Sequence, residues 1–399
     1  MNGPTPGTPS LLRAINDRAA LQALLERGPL TRPEIGTLTG LSKPTASQLL
    51  ARLQEAGLVV LDGIREGMPG RTAEVYRINP AAAHVGALDV TPDRIEASVA
   101  DITGTVVGTY VLPTPRRGGG ELVERLRAAL DGANTPGARL RQVVIGVQAA
   151  IDPSTGRLGY ATAKDMPGWQ IPALVPTLSD GLGIPVAVEN NVNLVALAEQ
   201  AHGAAQGTSD FVLLWADEGI GSAIVLGGRM HRGATGGAGE VGYMPTPGAP
   251  TAREAGRYAN HGYQALTGGP AVLKLLRSYG VRGTDFRQAI ANAVNAAERT
   301  GTKADDARAG LRDIAARIAV GLAAITSVID PGLVVLTGGI VLTGGETLRE
   351  LVEHELHALT IPRPQVRLST VEGNPVLAGA LDLALDTTRD EVFSSTVPS

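Results

Sequence analysis

The sequence predicts an α/β protein led by a winged helix-turn-helix unit, and three observations carry that prediction. Within the first eighty residues, three short helical patterns are followed by two strand patterns around a Gly-rich loop. From Val85 onward, strand and helix patterns alternate, which implies sheets covered by helices. The length of 399 residues exceeds what one hydrophobic core serves, so two or three compact units are expected.

The first helix is predicted over Leu11 to Arg27, with Leu12, Ile15, Ala19, Leu21, Leu24 and Leu25 on its apolar face and Gly28-Pro29 as its stop. Thr31 caps a short second helix that has Pro33 in its first turn and Ile35 and Leu38 facing inward. After a Gly40-Leu41 turn, Ser42 caps a third helix reaching Glu55, with Ala46, Leu49, Leu50 and Leu53 as its apolar set. Gly57 ends that helix, "LVVLDG" follows as a strand, and "GIREGMPGRTAEVYRIN" reads as strand, Gly-rich loop, strand. A short helix, a tight turn and a second helix followed by such a wing is the arrangement that lays its second helix in a DNA major groove. Ser42, Lys43, Thr45, Ser47 and Gln48 are the exposed positions near the start of that helix and suit base edges and phosphates. Arg65, Arg71 and Arg77 stud the wing, and the Gly70-Arg71 tip can reach a minor groove.

Past Val85, "HVGALDV" and "RIEASVADITGTVVGTYVLP" read as antiparallel strands, followed by a helix from Glu121 to Leu130 and the strand "RQVVIGVQAAID". A strand from Ile184 to Val188 ends in Glu189-Asn190-Asn191 and opens an Ala/Leu-rich helix, the junction where α/β proteins place chemistry. "DFVLLWADEGIGSAIVLGGRM" supplies two more strands, Thr302 to Ile329 a long helix, and "LVVLTGGIVLTGG" a strand, a Gly turn and a helix.

Composition narrows the class. With 43% apolar residues the chain has ample core material, and with no cysteine it forms neither disulfides nor thiolate metal sites. Residues 1–80 hold nine basic and seven acidic side chains, a net of +2 against −4 for the whole, so the remainder carries −6. No apolar run reaches membrane-spanning length and the N-terminal arm is polar, so a cytoplasmic protein is expected, with no membrane partner.

The chain resembles the ROK family, which joins sugar-responsive repressors of the N-acetylglucosamine and xylose type to bacterial glucokinases. "LTRPEIGTLTGLSKPTASQLLARLQEAGLV", "GVQAAIDPSTG", "DMPGWQIPALV", "IPVAVENNVNLVALAE", "EGIGSAIVLGGRMHRGATGGAGEVGYMP" and "VVLTGGI" carry the likeness, which runs nearly end to end. The resemblance implies a winged helix over residues 1–80 and a two-lobed actin/hexokinase-like ATPase fold over 81–399. In that fold the first lobe covers about 81–190 plus the C-terminal helix, and the second about 191–375.

Set against that resemblance, the cleft has lost its kinase chemistry. Family kinases place a carboxylate at the second position of Asn-Asp-x-Asn; this chain has Asn190-Asn191-Val192-Asn193, and an amide takes no proton at neutral pH. The family's Asp-x-Gly-Gly-Thr phosphate loop is here Asp89-Val90-Thr91-Pro92-Asp93, without either glycine. Of the second phosphate loop, Glu218-Gly219-Ile220-Gly221-Ser222 keeps part of the glycine. The family's structural zinc ligands fall at Tyr243, Gly256, Tyr258 and Tyr263, so no metal is expected, and no cofactor. A partial sugar site remains in Asp165, Asn190, Asn191, Glu240 and Tyr243.

The function expected is that of a DNA-binding transcriptional regulator, a repressor of carbohydrate-related genes, and not an enzyme. Its partners would be an inverted-repeat double-stranded operator and a small-molecule carbohydrate effector, bound as a homodimer or homotetramer. Two alternatives stand beside it: an active sugar kinase with a regulatory N-terminal domain, and a ligand-independent regulator using its kinase-like part only for dimerisation.

Overall fold

The computed structural model describes residues 9–66, 72–114, 121–134, 137–159, 166–256 and 259–394. The chain opens with α1 (Pro9–Arg27), β1 (Leu30–Thr31), α2 (Arg32–Thr39), α3 (Lys43–Glu55), β2 (Val59–Glu66) and β3 (Thr72–Ile78). β3 pairs antiparallel with both β1 and β2, so the wing is anchored to the helices through β1. The caps act where the sequence placed them. The Thr31 amide and hydroxyl donate to Glu34 Oε2 at 2.6 and 2.7 Å, and Gly40 ends α2 in the left-handed region at φ 70°.

Leu21, Leu24, Ile35, Leu49, Leu50 and Leu53 form the core of this unit. The apolar face expected for α1 is only half right. Leu12 and Ile15 are 55% and 53% exposed and Ala19 also faces solvent, while Asp17, Ala20, Leu21 and Leu24 point inward. The reason is an ion pair with one buried partner: Asp17, only 1% exposed, accepts from the partly exposed Arg52 of α3 at 2.7 Å and turns its own face of α1 toward α3. Leu38 likewise stays partly outside, at 39% exposure.

The next unit comprises β4 (His84–Val90), β5 (Arg94–Asp101), β6 (Val106–Pro113), α4 (Leu122–Ala133), β7 (Leu140–Val147), β8 (Ala150–Ile151), β9 (Leu158–Gly159), α5 (Leu174–Leu182), β10 (Val186–Asn190) and α6 (Asn191–His202). The last comprises β11 (Phe211–Ala216), β12 (Ile220–Leu226), β13 (Arg229–Met230), α7 (Ala252–Ala255), α8 (Gln264–Thr267), α9 (Gly269–Ser278), α10 (Phe286–Ala297), α11 (Thr302–Ile329), β14 (Leu333–Thr337), α12 (Gly339–Leu359), β15 (Gln365–Leu368) and α13 (Pro375–Ser394). Their sheets run β10-β7-β4-β5-β6 and β15-β14-β11-β12-β13. In each, two antiparallel strands extend to one side of the first strand, and two parallel strands are added on the other. The two lobes therefore share one topology.

Strand alternation divides the core into layers. Phe211 and Leu213 face inward with Val85 and Val144 of the other sheet, and α6 and α13 fill the space between the two sheets. Val212 and Leu214 face outward onto α9, α10, α11 and α12, while Val143 and Ile145 face α4 and α5. α11 is a core helix along most of its length, with Leu311, Ile314, Ile318 and Leu322 all buried. α13 also reaches the winged helix. Val392 and Phe393 are buried against its core beside Ile102, and Arg18 of α1 pairs with Asp390.

Candidate functional site

Two surfaces are built by this fold. On the first, Ser42 caps α3 by accepting from the Thr45 amide at 3.4 Å, and its hydroxyl also bonds that of Thr45 at 2.8 Å. Lys43, Thr45 and Gln48 are exposed on the first turns of α3, and Lys43 has no acidic partner among the described residues. Ser47 is half-buried and its hydroxyl donates to Lys43 O at 3.0 Å. The positive N-terminal pole of α3 adds to this face. Arg65 donates to Glu34 at 2.9 Å and ties the wing to α2, while Arg77 donates to Asp62 at 2.7 Å. Arg77 lies opposite Val60, at the root of the hairpin rather than near its tip. Arg71 and the Gly70 tip lie outside the described residues.

The second surface lies where β10 delivers α6 between the lobes. Asn190 caps α6: its Oδ1 accepts from the Val192 and Asn193 amides at 2.8 and 3.4 Å, and its Nδ2 donates to Ala149 O at 3.1 Å. One N–H of that amide remains to offer. Asn191, the first residue of α6, is buried and makes no side-chain hydrogen bond among the described residues. A recess of about 20 Å³, room for one water molecule, is lined by Asn190, Asn193, Gly221, Ser222, Gly236 and Glu240. Among the described residues two of its groups lack partners: Ser222 Oγ is buried with no hydrogen bond, and the Glu240 carboxyl makes none. Burial pushes the Glu240 carboxyl up to about 7. Tyr243 follows one short turn later and its ring packs against His261, centroids 5.4 Å apart. Asn191 and Tyr243 flank the recess in sequence without lining it, and Asp165 lies outside the described residues.

Residues that sequence reasoning missed hold this surface together. Buried Glu189 accepts from the Asn190 amide and from Asn193 Nδ2, both at 2.9 Å, and from Arg232 Nε at 2.6 Å. Arg232 comes from the loop that carries Glu240, so one ion pair joins the two lobes across the cleft. The same loop rests on β8: at Gly236, φ 76°, an added Cβ would collide with Ile151 O. The only signal in sequence was an arginine just ahead of a Gly-rich run.

The phosphate-loop positions are filled by the protein's own groups. In the β4–β5 turn, Thr91 donates its amide and hydroxyl to Arg94 O at 2.9 and 3.0 Å, and the Arg94 amide donates back to Thr91 Oγ1 at 3.2 Å. Asp89 accepts from Asn374 Nδ2 at 2.9 Å, and burial pushes its carboxyl up against that stabilising bond. In the second lobe, Asp217 accepts from the Gly339 amide and the Glu218 amide, each at 2.8 Å, and pairs with Arg287. A side-chain carboxylate thus sits on the first amide of α12, where a helix N-terminus would otherwise hold a ligand's phosphate. Neither Asp217 nor Arg287 was singled out from the sequence, because each is an ordinary surface-type residue until the fold pairs them.

Where the resemblance placed zinc ligands, the described residues show aromatic packing instead. Tyr263 is fully buried beside Gly321 of α11, and its hydroxyl donates to Ile318 O at 2.7 Å. His261 is buried against Tyr243, and Tyr258 lies outside the described residues.

Comparison with known proteins agrees with this architecture. The ROK family model matches residues 85–387, and the MarR family model matches residues 15–67. A xylose repressor of Caldicellulosiruptor bescii is 22% identical over 95% of this chain and 97% of its own length. The crystal structure of a ROK family transcriptional regulator, a homolog of the E. coli MLC protein, superposes with TM-score 0.70 at 18% identity, covering 97% of this chain and 99% of that one. A ROK hexokinase from Thermus thermophilus superposes with TM-score 0.64 at 29% identity, covering 77% of this chain and 99% of its own. These matches account for both halves of the molecule, a MarR-type winged helix and a two-lobed actin/hexokinase-like body, and the chain belongs to the ROK family.

Proposed function

We propose that this chain is a DNA-binding transcriptional repressor of carbohydrate-related genes, whose kinase-like domain binds a carbohydrate effector without phosphorylating it. The observation that carries the reading is a pairing within one chain: a winged helix presenting Lys43, Thr45 and Gln48, and a cleft with an amide at the base position and Asp217 on the α12 amide. The near full-length likeness to a xylose repressor supports the same reading.

Residues 1–80 are assigned to the operator and 81–399 to sensing. Ser42, Lys43, Thr45, Ser47 and Gln48 would meet base edges and phosphates, and Arg65, Arg71 and Arg77 the flanking backbone. Asp165, Asn190, Asn191, Glu240 and Tyr243 would hold the effector's hydroxyls, with Ser222 Oγ as a further donor. Effector binding draws the lobes together across the Glu189–Arg232 pair, and α13, packed on both α6 and the winged helix, carries that shift to the DNA-binding unit. The effector acts by preferring one arrangement of a cytoplasmic homodimer on an inverted repeat.

Footprinting on the chain's own upstream region, with and without a panel of sugars, tests the proposal. Protection of an inverted repeat that one sugar relieves is the expected result; no protected site overturns the DNA assignment. ADP release with any sugar, abolished by Asn191→Ala, overturns the assignment as a non-enzyme.

A further inference from the structure

We infer that the first lobe carries a second ligand site, for a small organic anion with a flat apolar body, lined, among the described residues, by none of those assigned to the carbohydrate. A cavity of about 360 Å³ opens at the carboxyl ends of β4 and β7, between the β4–β5 turn, the start of α4 and the Met166–Trp169 segment. That volume lies within the range of about 300–1,000 Å³ usual for small-molecule sites, and the crevice beyond the carboxyl ends of strands is where open α/β sheets bind ligands.

Its lining specifies the chemistry. Among the described residues Arg125 is the one charged side chain on the cavity wall, and none of them brings a carboxylate to it. The guanidinium is half-buried and oriented by a 2.7 Å hydrogen bond to Thr114 Oγ1, and it has no ion pair among the described residues. A partly desolvated, oriented and unpaired guanidinium is a receptor for a planar carboxylate or a phosphate. Leu122, Met166, Pro167 and Trp169 supply the apolar part, and Thr91 and Gln148 the remaining polar rim. Trp169 is only 4% exposed and held by the core, so the wall is preformed.

Calorimetric titration of the full chain with benzoate, phenyl phosphate, benzyl alcohol and inorganic phosphate tests the site. Benzoate and phenyl phosphate are expected to bind saturably and to quench Trp169 fluorescence in a Trp215→Phe background. Arg125→Ala should weaken both about tenfold or more, Arg125→Lys should restore part of the loss, and Leu122→Asp should abolish binding. Thermal melting of each variant verifies that it is folded. Benzyl alcohol or inorganic phosphate binding as tightly as the aromatic anions overturns the inference, as does unchanged affinity in Arg125→Ala or the absence of saturable binding. Footprints and sugar titrations on the same variants keep the two questions apart: unchanged operator and sugar responses with lost anion binding confirm a separate site. A loss of sugar response in Arg125→Ala would merge the cavity with the effector site and overturn its independence.

Discussion

By the family resemblance Asn191 stands where a sugar kinase keeps its base; the residue is buried, and its carboxamide makes no hydrogen bond among the described residues. Restoring a carboxylate there is expected not to restore a kinase, because Thr91 closes the β4–β5 turn and Asp217 occupies the first amide of α12. Asn191→Asp is therefore expected to release no ADP with any sugar in a coupled assay; measurable turnover would mean that these two closures open in solution. Glu240 makes a second prediction. Its carboxyl moves from an ordinary value near 4.5 to about 7, so between those values the folded state holds a proton that the unfolded chain has lost. Stability should therefore fall as pH rises across that window, and Glu240→Gln should flatten the fall in a series of thermal melts.

α13 touches the first lobe, α6 and the winged helix in turn. Asn374, just before it, bonds Asp89 at the β4–β5 turn, its middle crosses α6, and its last turn enters the core of the winged helix. The crossing depends on Gly379, where an added Cβ would collide with Leu194 O of α6. Gly379→Ala is expected to cost roughly 1–3 kcal/mol in chemical denaturation, the usual range for overpacking. Phe393→Ala should cost about 3–5 kcal/mol, with the loss of hydrogen-exchange protection concentrated in α1, α2 and α3. Helices α2 and α3 were legible from sequence because their caps and stops are local: Thr31, Ser42, Gly40 and Gly57 act within four residues. α1 was legible in extent but not in orientation, since the face it buries is chosen by Arg52, 35 residues away from Asp17.

The whole molecule is a winged helix standing on a duplicated two-sheet body, with α13 packed against both. If it works as proposed, Lys43→Ala combined with Arg71→Ala should weaken operator binding at moderate salt. Each lost phosphate contact should flatten the dependence of log affinity on log salt by about one. Unchanged binding in the double variant would mean that another surface meets the DNA.

The order of helices and strands in the winged helix and its caps were readable in the chain, because each is written in neighbouring residues, as was the amide at position 191. Tertiary structure decided the rest. It set α6 and α13 between the two sheets, gave both lobes one topology, and turned Tyr263 into a core aromatic. It also closed the α12 terminus with Asp217, whose partners Arg287 and Gly339 lie 70 and 122 residues further along. Hydrophobic periodicity and capping report only on spacings of a few residues. A carboxylate that meets its cation across such distances is indistinguishable in sequence from any solvated surface charge until the fold brings the two together.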